Sequence, residues 1–311
     1  MNRWAHQTQA IEFICDHTIN RVGRSLIVMP PGAGKSEVAI GSVLAWLRLS
    51  PGHRAIVCVP STRLLGQFYS RLVRLTREPI AFEQGTRRAT SHSRLVLASQ
   101  LSLLDRLGRY TPDTMLVIDE AHHSSYDAPS FSRVLSRFNR AIGLSATPWT
   151  NGLIHIFKNK YFYPLTDAIA DKVVCPFELT MASVLSPSDE YYTLVFVASN
   201  KDAKTKSANF SSADWIGHSR DLSSNLSVLD RWNNRKIKTI FANRMLLEGF
   251  DTPETASVWI DHDVKSVVMC AQIVGRALRY KPGKKAMIYV MSVGTLATVH
   301  EAIRLMDCKL R

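Results

Sequence analysis

The chain has 311 residues, 46% of them hydrophobic, which is enough for two ordinary domains with a buried core in each. No apolar run reaches the roughly 18 residues that span a bilayer, and residues 1–7 lack the apolar centre of a secretory signal. Five scattered cysteines without a CxxC pair argue against a disulfide framework or a zinc site. We therefore expect no membrane association and an intracellular, cytoplasmic location, or a virus- or phage-encoded protein acting in the host cytoplasm.

The net charge of +13 is unevenly distributed and indicates a polyanionic partner. Residues 1–166 carry 20 Lys and Arg against 10 Asp and Glu, whereas residues 167–311 carry 19 against 16. Together with the nucleotide motif described below, the basic first half favours nucleic acid as that partner.

The first half alternates strand-like apolar runs with helical patterns. Such alternation predicts a mainly parallel sheet covered by helices on both faces. The runs are residues 25–29, 54–59, 94–98, 115–118 and 141–145, and the clearest helical patterns are 37–48 and 64–75.

The pattern weakens over residues 151–176, where we place the connection between two domains, 1–165 and 166–311. A second alternation follows, with residues 201–212 expected to form a mobile loop or a short helix. Its predicted strands are 191–197, 237–242, 256–260 and 286–290, and its predicted helices are 222–233, 265–279 and 295–310.

Residues 30–36, reading PPGAGKS, stand between the first predicted strand and the first predicted helix. Glycines in such a turn let backbone N–H groups approach an anion, and the helix N-terminus adds its partial positive charge. Lys35 would reach the β- and γ-phosphates and Ser36 would bind Mg²⁺. The predicted nucleotide-binding residues here are Pro31, Gly32, Ala33, Gly34, Lys35 and Ser36.

An acidic motif, DEAH, directly follows the predicted strand 115–118. Asp119 would bind Mg²⁺ through water, and Glu120 would position and deprotonate the attacking water. The pairing of this motif with GAGKS predicts an ATP site with Mg²⁺.

The sequences GAGKS, DEAH and SATP (residues 145–148), in that order, resemble motifs I, II and III of superfamily 2 helicases and translocases. The remaining motifs of that superfamily have similar counterparts, and details such as LEGFDTP (247–253) look like the type III restriction subunit and repair-translocase branch. This resemblance implies two tandem RecA-like domains with an ATP cleft between them. It also implies ATP and Mg²⁺ as cofactors.

The resemblance assigns roles outside the phosphate loop. Gln7 would read adenine, and His122, Ser145 and Thr147 would couple the nucleotide to the second domain. Gly249 and Asp251, in motif V, would line the nucleotide cleft. The expected nucleic-acid contacts are Pro60, Thr62 and Arg63 of motif Ia, and Ser99 and Gln100 of motif Ib.

Residues 272–279, reading QIVGRALR, match motif VI. Arg276 and Arg279 are three residues apart, so on a continuous helix they would share a face. From the second domain they would stabilise charge on the γ-phosphate, with Gln272 near the attacking water. We therefore predict Lys35, Glu120, Gln272, Arg276 and Arg279 as the catalytic residues.

Further arginines in the first half are candidates for a nucleic-acid track or for an ordinary solvated surface. They are Arg71, Arg74, Arg77, Arg87, Arg88 and Arg94.

The sequence predicts a minimal, monomeric ATP-driven nucleic-acid translocase or helicase. DNA is favoured over RNA, because the branch that the chain resembles mostly acts on DNA. A protein partner would supply targeting, since each half is close to the minimum for one domain. Two alternatives stay open: an RNA helicase, and a nucleotide-gated clamp that binds nucleic acid within a larger assembly with little turnover.

Overall fold

A computed structural model describes residues 4–90, 92–122, 128–149, 152–246, 252 and 254–307. The chain forms two compact units, whose main boundary along the chain lies between Pro164 and Leu165; Pro31–Ala33 are grouped with the second unit. Among the described residues, no helix combines the length and apolar character that a membrane crossing requires.

The first unit alternates helices and strands. Its described helices are α1 (Ala5–Ile14), α2 (Lys35–Leu49), α3 (Thr62–Leu72), α4 (Gln100–Asp105), α5 (Ala128–Arg137) and α6 (Leu153–Ile156). Its described strands are β1 (Arg24–Val28), β2 (Ala55–Val59), β3 (Ile80–Glu83), β4 (Leu95–Ser99), β5 (Met115–Ile118), β6 (Arg140–Ser145) and β7 (Asn159–Phe162).

These strands form one parallel sheet in the order β3-β4-β2-β5-β6-β1-β7. Every residue of β2 and of β5 is buried, as expected for central strands covered on both faces. The apolar side chains of β2, β4 and β5 pack with those of α5, including Val134 and Leu135, in one core. That core fixes the positions of the strand ends.

The second unit repeats this architecture. Its described helices are α7 (Leu165–Ala170), α8 (Asn200–Ser207), α9 (Leu222–Asn233), α10 (Val267–Ala277) and α11 (Val293–Asp307). Its described strands are β8 (Phe177–Met181), β9 (Thr193–Val197), β10 (Ala213–Ile216), β11 (Thr239–Ala242), β12 (Ser257–Asp261) and β13 (Ala286–Val290). They form a parallel sheet in the order β10-β11-β9-β12-β13-β8.

The prediction of two parallel, helix-covered sheets is confirmed, and every predicted strand is present within two residues of its expected ends. The structure adds β3, β7, β8 and β10, which are the edge strands of the two sheets. Their residues are mostly only half-buried. Because an edge strand is covered less completely, it does not need the continuous apolar run by which the central strands were recognised.

Regular structure lies in both segments where the sequence pattern was weak. The segment 151–176 includes α6, β7 and α7, and residues 201–212 contain most of α8. Ser199 caps α8 by accepting a hydrogen bond from the Asp202 N–H at 3.0 Å. The short helix, one of the two alternatives predicted for residues 201–212, is therefore confirmed, and the polar composition of α8, with three lysines in eight residues, explains why a loop was the other alternative.

Candidate nucleotide and nucleic-acid site

Five motifs of the first unit meet at one edge of its sheet. Residues 30–36 follow β1, Pro60 follows β2, and Asp119 follows β5, while Ser99 and Ser145 end β4 and β6. Because all these strands are parallel, their carboxyl ends lie side by side. The first unit therefore gathers at this edge the residues predicted for nucleotide binding and those predicted for nucleic-acid contact.

The loop after β1 has the backbone that an anion site needs. Gly32 and Gly34 have φ angles of +86° and +88°, in the left-handed region that favours glycine. Gly34 is also the N-cap of α2, and its carbonyl accepts the Glu37 N–H at 2.9 Å. The first N–H groups of α2 consequently point towards this loop and form a positive helix terminus.

Gln7 packs directly against the loop. A Cβ atom on Gly34 would lie 2.3 Å from Gln7 Nε2, which is too close for any non-glycine residue without a shift of the glutamine. The Gln7 side chain is buried, and its Oε1 accepts a hydrogen bond from the Trp4 N–H at 3.3 Å. These contacts place Gln7 at the nucleotide loop, and its role in reading adenine stays a prediction.

Lys35 is buried at the start of α2. Its ammonium donates to the Met29 carbonyl at 3.2 Å and to the Pro30 carbonyl at 3.5 Å. The side chain thus lies along the loop itself, with its charge held at the carboxyl end of β1.

Asp119 is a buried carboxyl at the end of β5, and its N–H donates to the Cys58 carbonyl at 2.9 Å. Burial raises the pKa of Asp119, and the neighbouring charge of Glu120 raises it further. The positive charges of Lys35 and Arg71 act in the opposite direction. The carboxyl therefore lies where a cation would stabilise its ionised form.

Glu120 holds an unusual backbone conformation, with φ of +47°. Such a conformation costs a non-glycine residue on the order of 1–3 kcal/mol and persists only when neighbouring contacts impose it. The Ala121 N–H supplies one such contact by donating to the Leu144 carbonyl at 2.8 Å. Glu120 Oε2 is buried and accepts no hydrogen bond from the residues that the structure describes. A buried acceptor of this kind suits a group that binds water or a cation.

His122 connects the acidic motif to the end of β6. Its Nδ1 lies 2.8 Å from Ser145 Oγ and 3.4 Å from Glu120 Oε2. Ser145 Oγ also accepts the Thr147 N–H at 3.0 Å. All three residues predicted for coupling, His122, Ser145 and Thr147, therefore belong to one buried network that touches the proposed general base.

The residues of this edge fit a nucleoside triphosphate with a divalent cation. The loop presents N–H groups and one ammonium for phosphate, and Ser36 and Asp119 supply the oxygen ligands that Mg²⁺ prefers. The buried Oε2 of Glu120, which accepts no hydrogen bond from the described residues, adds an acceptor beside them. The fit is therefore one of chemical type, between these donor and ligand groups and the phosphates and cation that they would bind.

The predicted nucleic-acid contacts differ in their exposure. Pro60 is half-buried and Thr62 is exposed in the first turn of α3, whose N-cap Ser61 accepts the Leu64 N–H at 3.4 Å. Arg63 lies in the same turn, but its side chain is outside the described residues. Ser99 is half-buried. Gln100 is 1% exposed, and its contact with nucleic acid stays a prediction.

Two arginines among the track candidates have partners within the first unit. Arg94 donates to Glu78 at 2.7 Å and to the Leu47 and Ser50 carbonyls, so it ties the loop after α2 to the start of β4. Arg71 lies 3.6 Å from Glu37, an ion pair that links α3 to the first turn of α2. The sequence contains no spacing pattern that would identify the Glu37–Arg71 pair, since the residues lie on different helices.

Motif VI lies in the second unit. Gln272 and Arg276 are half-buried and stand one turn apart on α10. Arg279 is not on that helix, because α10 ends at Ala277. The prediction that Arg276 and Arg279 share a helix face is therefore wrong.

The backbone of Arg279 pairs instead with the segment that leads into β8. It forms a bridge with Val174, and the neighbouring Leu278 carbonyl accepts the Cys175 N–H at 2.9 Å. The Lys284 ammonium donates to the Arg279 carbonyl at 2.9 Å, and burial lowers the pKa of this lysine. Pairing with another segment satisfies backbone groups that a longer helix would have satisfied.

Gly249 and Asp251, predicted for the nucleotide cleft, lie outside the described residues.

Comparison with known proteins agrees with these motifs. Residues 1–150 match the family model described as type III restriction enzyme, res subunit. A protein assigned as helicase 22 in Sulfolobus islandicus filamentous virus (isolate Iceland/Hveragerdi) is 23% identical over 86% of this chain and 60% of its own length.

Solved structures share the fold over nearly the whole chain. The ATP-dependent type ISP restriction-modification enzyme LlaBIII bound to DNA has a TM-score of 0.81 at 16% identity, covering 99% of this chain. Saccharomyces cerevisiae Dbp5 bound to RNA and ADP BeF3 has a TM-score of 0.70 at 15% identity over 98% of this chain. The likeness to these structures shows the fold, and the family match over residues 1–150 agrees with the motif resemblance to superfamily 2 helicases and translocases.

The chain is shorter than some of the proteins it resembles. It spans 60% of the viral relative and 30% of the LlaBIII chain, but 88% of the Dbp5 chain. Its two sheets match the tandem RecA-like domains predicted from the motifs.

Proposed function

We propose that this chain is an ATPase stimulated by nucleic acid, which uses ATP hydrolysis to move along the polymer. One observation supports this most strongly. The phosphate loop, the acidic motif and the strand ends predicted to contact nucleic acid occupy a single edge of one parallel sheet. Nucleotide and polymer would therefore act on the same small group of strand ends.

In the proposed reaction, water attacks the γ-phosphate of ATP and releases ADP and phosphate. Lys35 and the N–H groups of the loop hold the phosphates, while Ser36 and Asp119 would hold Mg²⁺, which when bound would supply positive charge to the phosphates. Glu120 orients the attacking water and accepts its proton. The buried Oε2 of Glu120 supports this role.

The second unit contributes Gln272, Arg276 and Arg279 in this proposal. Arginines that stabilise the transferring phosphoryl group accelerate such reactions by about 10³–10⁵-fold. The network of His122 and Ser145 supports a coupling role, because it joins the general base to the segment that follows β6.

We propose DNA as the polymer, since the matching family model describes a restriction enzyme subunit. The competing candidate is RNA, because Dbp5, a protein solved with RNA, shares this fold. Two structures that bind different polymers share this fold at similar identity, so the fold alone favours neither.

A third candidate is a clamp that binds nucleic acid with little turnover. The presence of Glu120 and of both motif VI arginines disfavours it, because a clamp has no need of groups that activate water or stabilise the transition state.

One assay separates these candidates: the steady-state rate of phosphate release with no polymer, single-stranded DNA, duplex DNA or RNA, at equal nucleotide-unit concentrations. Stimulation by either form of DNA well above that by RNA supports the proposal. Stimulation by RNA alone identifies an RNA-dependent enzyme. Equal, negligible rates in every mixture, with ATP binding retained, overturn the ATPase proposal in favour of the clamp.

We further propose that the core is monomeric and cytoplasmic and that a separate protein directs it to its sites. Light scattering of the purified chain with and without oligonucleotide tests the first point. A dimer in both conditions would contradict it.

A further inference from the structure

A buried acidic group outside the nucleotide site organises one corner of the first unit. Glu83, the last residue of β3, is 0% exposed. Its Oε1 accepts a hydrogen bond from Arg106 at 2.6 Å, and its Oε2 accepts one from the Tyr110 hydroxyl at 2.5 Å. Arg109 lies 3.6 Å from Oε2. Burial and this hydrogen bond raise the pKa of Tyr110, so its hydroxyl remains a donor.

The same two arginines hold the loop that follows β3, residues 84–90. Arg106 donates to the carbonyls of Gly85 and Arg87, the latter at 3.0 Å. Arg109 donates to the Ala89 carbonyl at 2.8 Å. Paired charges around Glu83 thus fix the inward-facing carbonyls of the loop.

The loop is also joined to motif Ib. The Gly85 N–H donates to Ser102 Oγ at 3.0 Å, and Ser99 Oγ donates to the same oxygen at 3.0 Å. In the sheet, Glu83 and Cys58 are both level with Ala98. Since β3, β4 and β2 are neighbours, this loop, motif Ib and motif Ia form a row about 10 Å wide at the carboxyl edge.

Two arginines of the loop face outward. Arg87 and Arg88 are both exposed, and the Arg87 guanidinium lies 5.3 Å from the centre of the Phe82 ring. A cation held over an aromatic ring loses less side-chain freedom when it binds an anion.

We propose that residues 84–90 are a further phosphate-binding element for nucleic acid, with Arg87 and Arg88 as its ligands and Glu83 as the positioning group. The proposal rests on the proposed function and adds a third contact beside motifs Ia and Ib. Two adjacent guanidiniums on a fixed loop bind backbone phosphates without reading sequence. A contact of this kind contributes to affinity through counterion release, so salt dependence reports it directly.

The test measures binding of a fluorescein-labelled oligo(dT) of 30 nucleotides by anisotropy across a salt series. The variant is R87Q/R88Q, and the matched control is R21Q/R48Q. The control removes two exposed positive charges at the opposite, amino-terminal edge of the same sheet. The loop variant should bind on the order of tenfold more weakly at about 0.1 M salt and lower the log–log salt slope by about 1.4, two contacts at roughly 0.7 each. The control should keep the wild-type slope.

Equal affinity and slope for the loop variant and the control would overturn the proposal. Failure of the proposed function has a different result: the wild-type chain would then bind no polymer, or hydrolyse ATP at one rate with and without it.

The positioning role has its own test. Tyr110→Phe removes one donor to Glu83 while keeping the buried ring, and Glu83→Gln weakens the charge pairing directly. Each should weaken oligo(dT) binding in the wild-type chain but cause no further loss in the R87Q/R88Q background. Equal losses in both backgrounds would contradict the positioning role and indicate a general effect on stability.

Discussion

His122 Nδ1 lies 2.8 Å from the hydroxyl oxygen of Ser145, and the pair joins the end of β5 to the end of β6. Both side chains are buried. The same histidine nitrogen lies 3.4 Å from Glu120, so a change at Ser145 reaches the proposed general base through one intermediate residue.

Replacing Ser145 with alanine should lower the ratio of polymer-stimulated to unstimulated ATP hydrolysis. The variant loses the acceptor of the Thr147 N–H and the partner of His122. A hydrogen bond is worth about 0.5–1.5 kcal/mol, so we expect a roughly 2- to 12-fold decrease in that ratio. Ser42→Ala is the control, because Ser42 is equally buried but its hydroxyl donates within α2, to the Val38 carbonyl. A similar decrease in both variants would argue against a coupling role.

Replacing Glu120 with glutamine should abolish turnover while ATP still binds. Glutamine keeps the size of the side chain but cannot accept a proton, and general bases contribute about 10²–10⁴-fold. We expect at least a 10²-fold lower rate, measured by phosphate release, with binding of a fluorescent ATP analogue retained. Glu78→Gln, which removes a carboxylate paired with Arg94, should keep the wild-type rate. Unchanged hydrolysis in Glu120→Gln would refute the assigned role.

Replacing Gly34 with alanine should weaken ATP binding for two separable reasons. The φ angle of +88° costs an alanine about 1–2 kcal/mol, and the added methyl group would lie 2.3 Å from Gln7 Nε2. We expect roughly tenfold weaker binding or more, measured by titration with a fluorescent nucleotide.

Adding Gln7→Ala removes the collision but not the backbone strain, and it also removes the proposed adenine contact, so G34A/Q7A is compared with Q7A alone and should bind ATP more weakly than Q7A. Equal binding by G34A/Q7A and Q7A would show that steric conflict alone explains the defect. Gly66→Ala is the control glycine, since no atom lies within 4 Å of the added methyl group on α3. It should bind ATP normally and stabilise the fold by up to about 1 kcal/mol.

Replacing Gly143 with alanine should destabilise the first unit. A methyl group here would lie 2.8 Å from the Phe157 ring and 3.1 Å from the Leu26 side chain. Both of these side chains belong to the buried hydrophobic core of the first unit. Overpacking of this type costs about 1–3 kcal/mol, which urea unfolding can measure. Phe157→Leu in the same chain should recover part of the loss. If G143A alone had wild-type stability, the close packing at this strand would be contradicted.

The interior of the fold was predictable from the sequence, and its edges were not. Central strands such as β2 and β5 consist of buried apolar residues, so composition identifies them. The edge strands β3, β7, β8 and β10 are mostly half-buried and mixed in composition, and their place is set by the strand beside each of them. Pairing between distant segments has no local pattern in the sequence.

The same distinction applies to the site. Residues 30–36 and the acidic motif are each one continuous run of sequence. Each directly follows a strand end, as expected. Arg279 was assigned to a helix by spacing alone, but backbone pairing with Val174 determines its conformation. The sequence did not indicate a role for Glu83. That role depends on Arg106 and Tyr110, 23 and 27 residues further along, which come close to Glu83 only in the folded chain.

The position of Lys35 has a consequence for how nucleotide affinity is set. Its ammonium is held by the Met29 and Pro30 carbonyls, so an incoming phosphate competes with the protein's own backbone for this cation. The affinity for nucleotide then depends on how much more strongly the Lys35 ammonium binds the phosphate than it binds these two carbonyls. Substitutions at residues 29 and 30 that loosen these carbonyls would tighten nucleotide binding without touching the nucleotide.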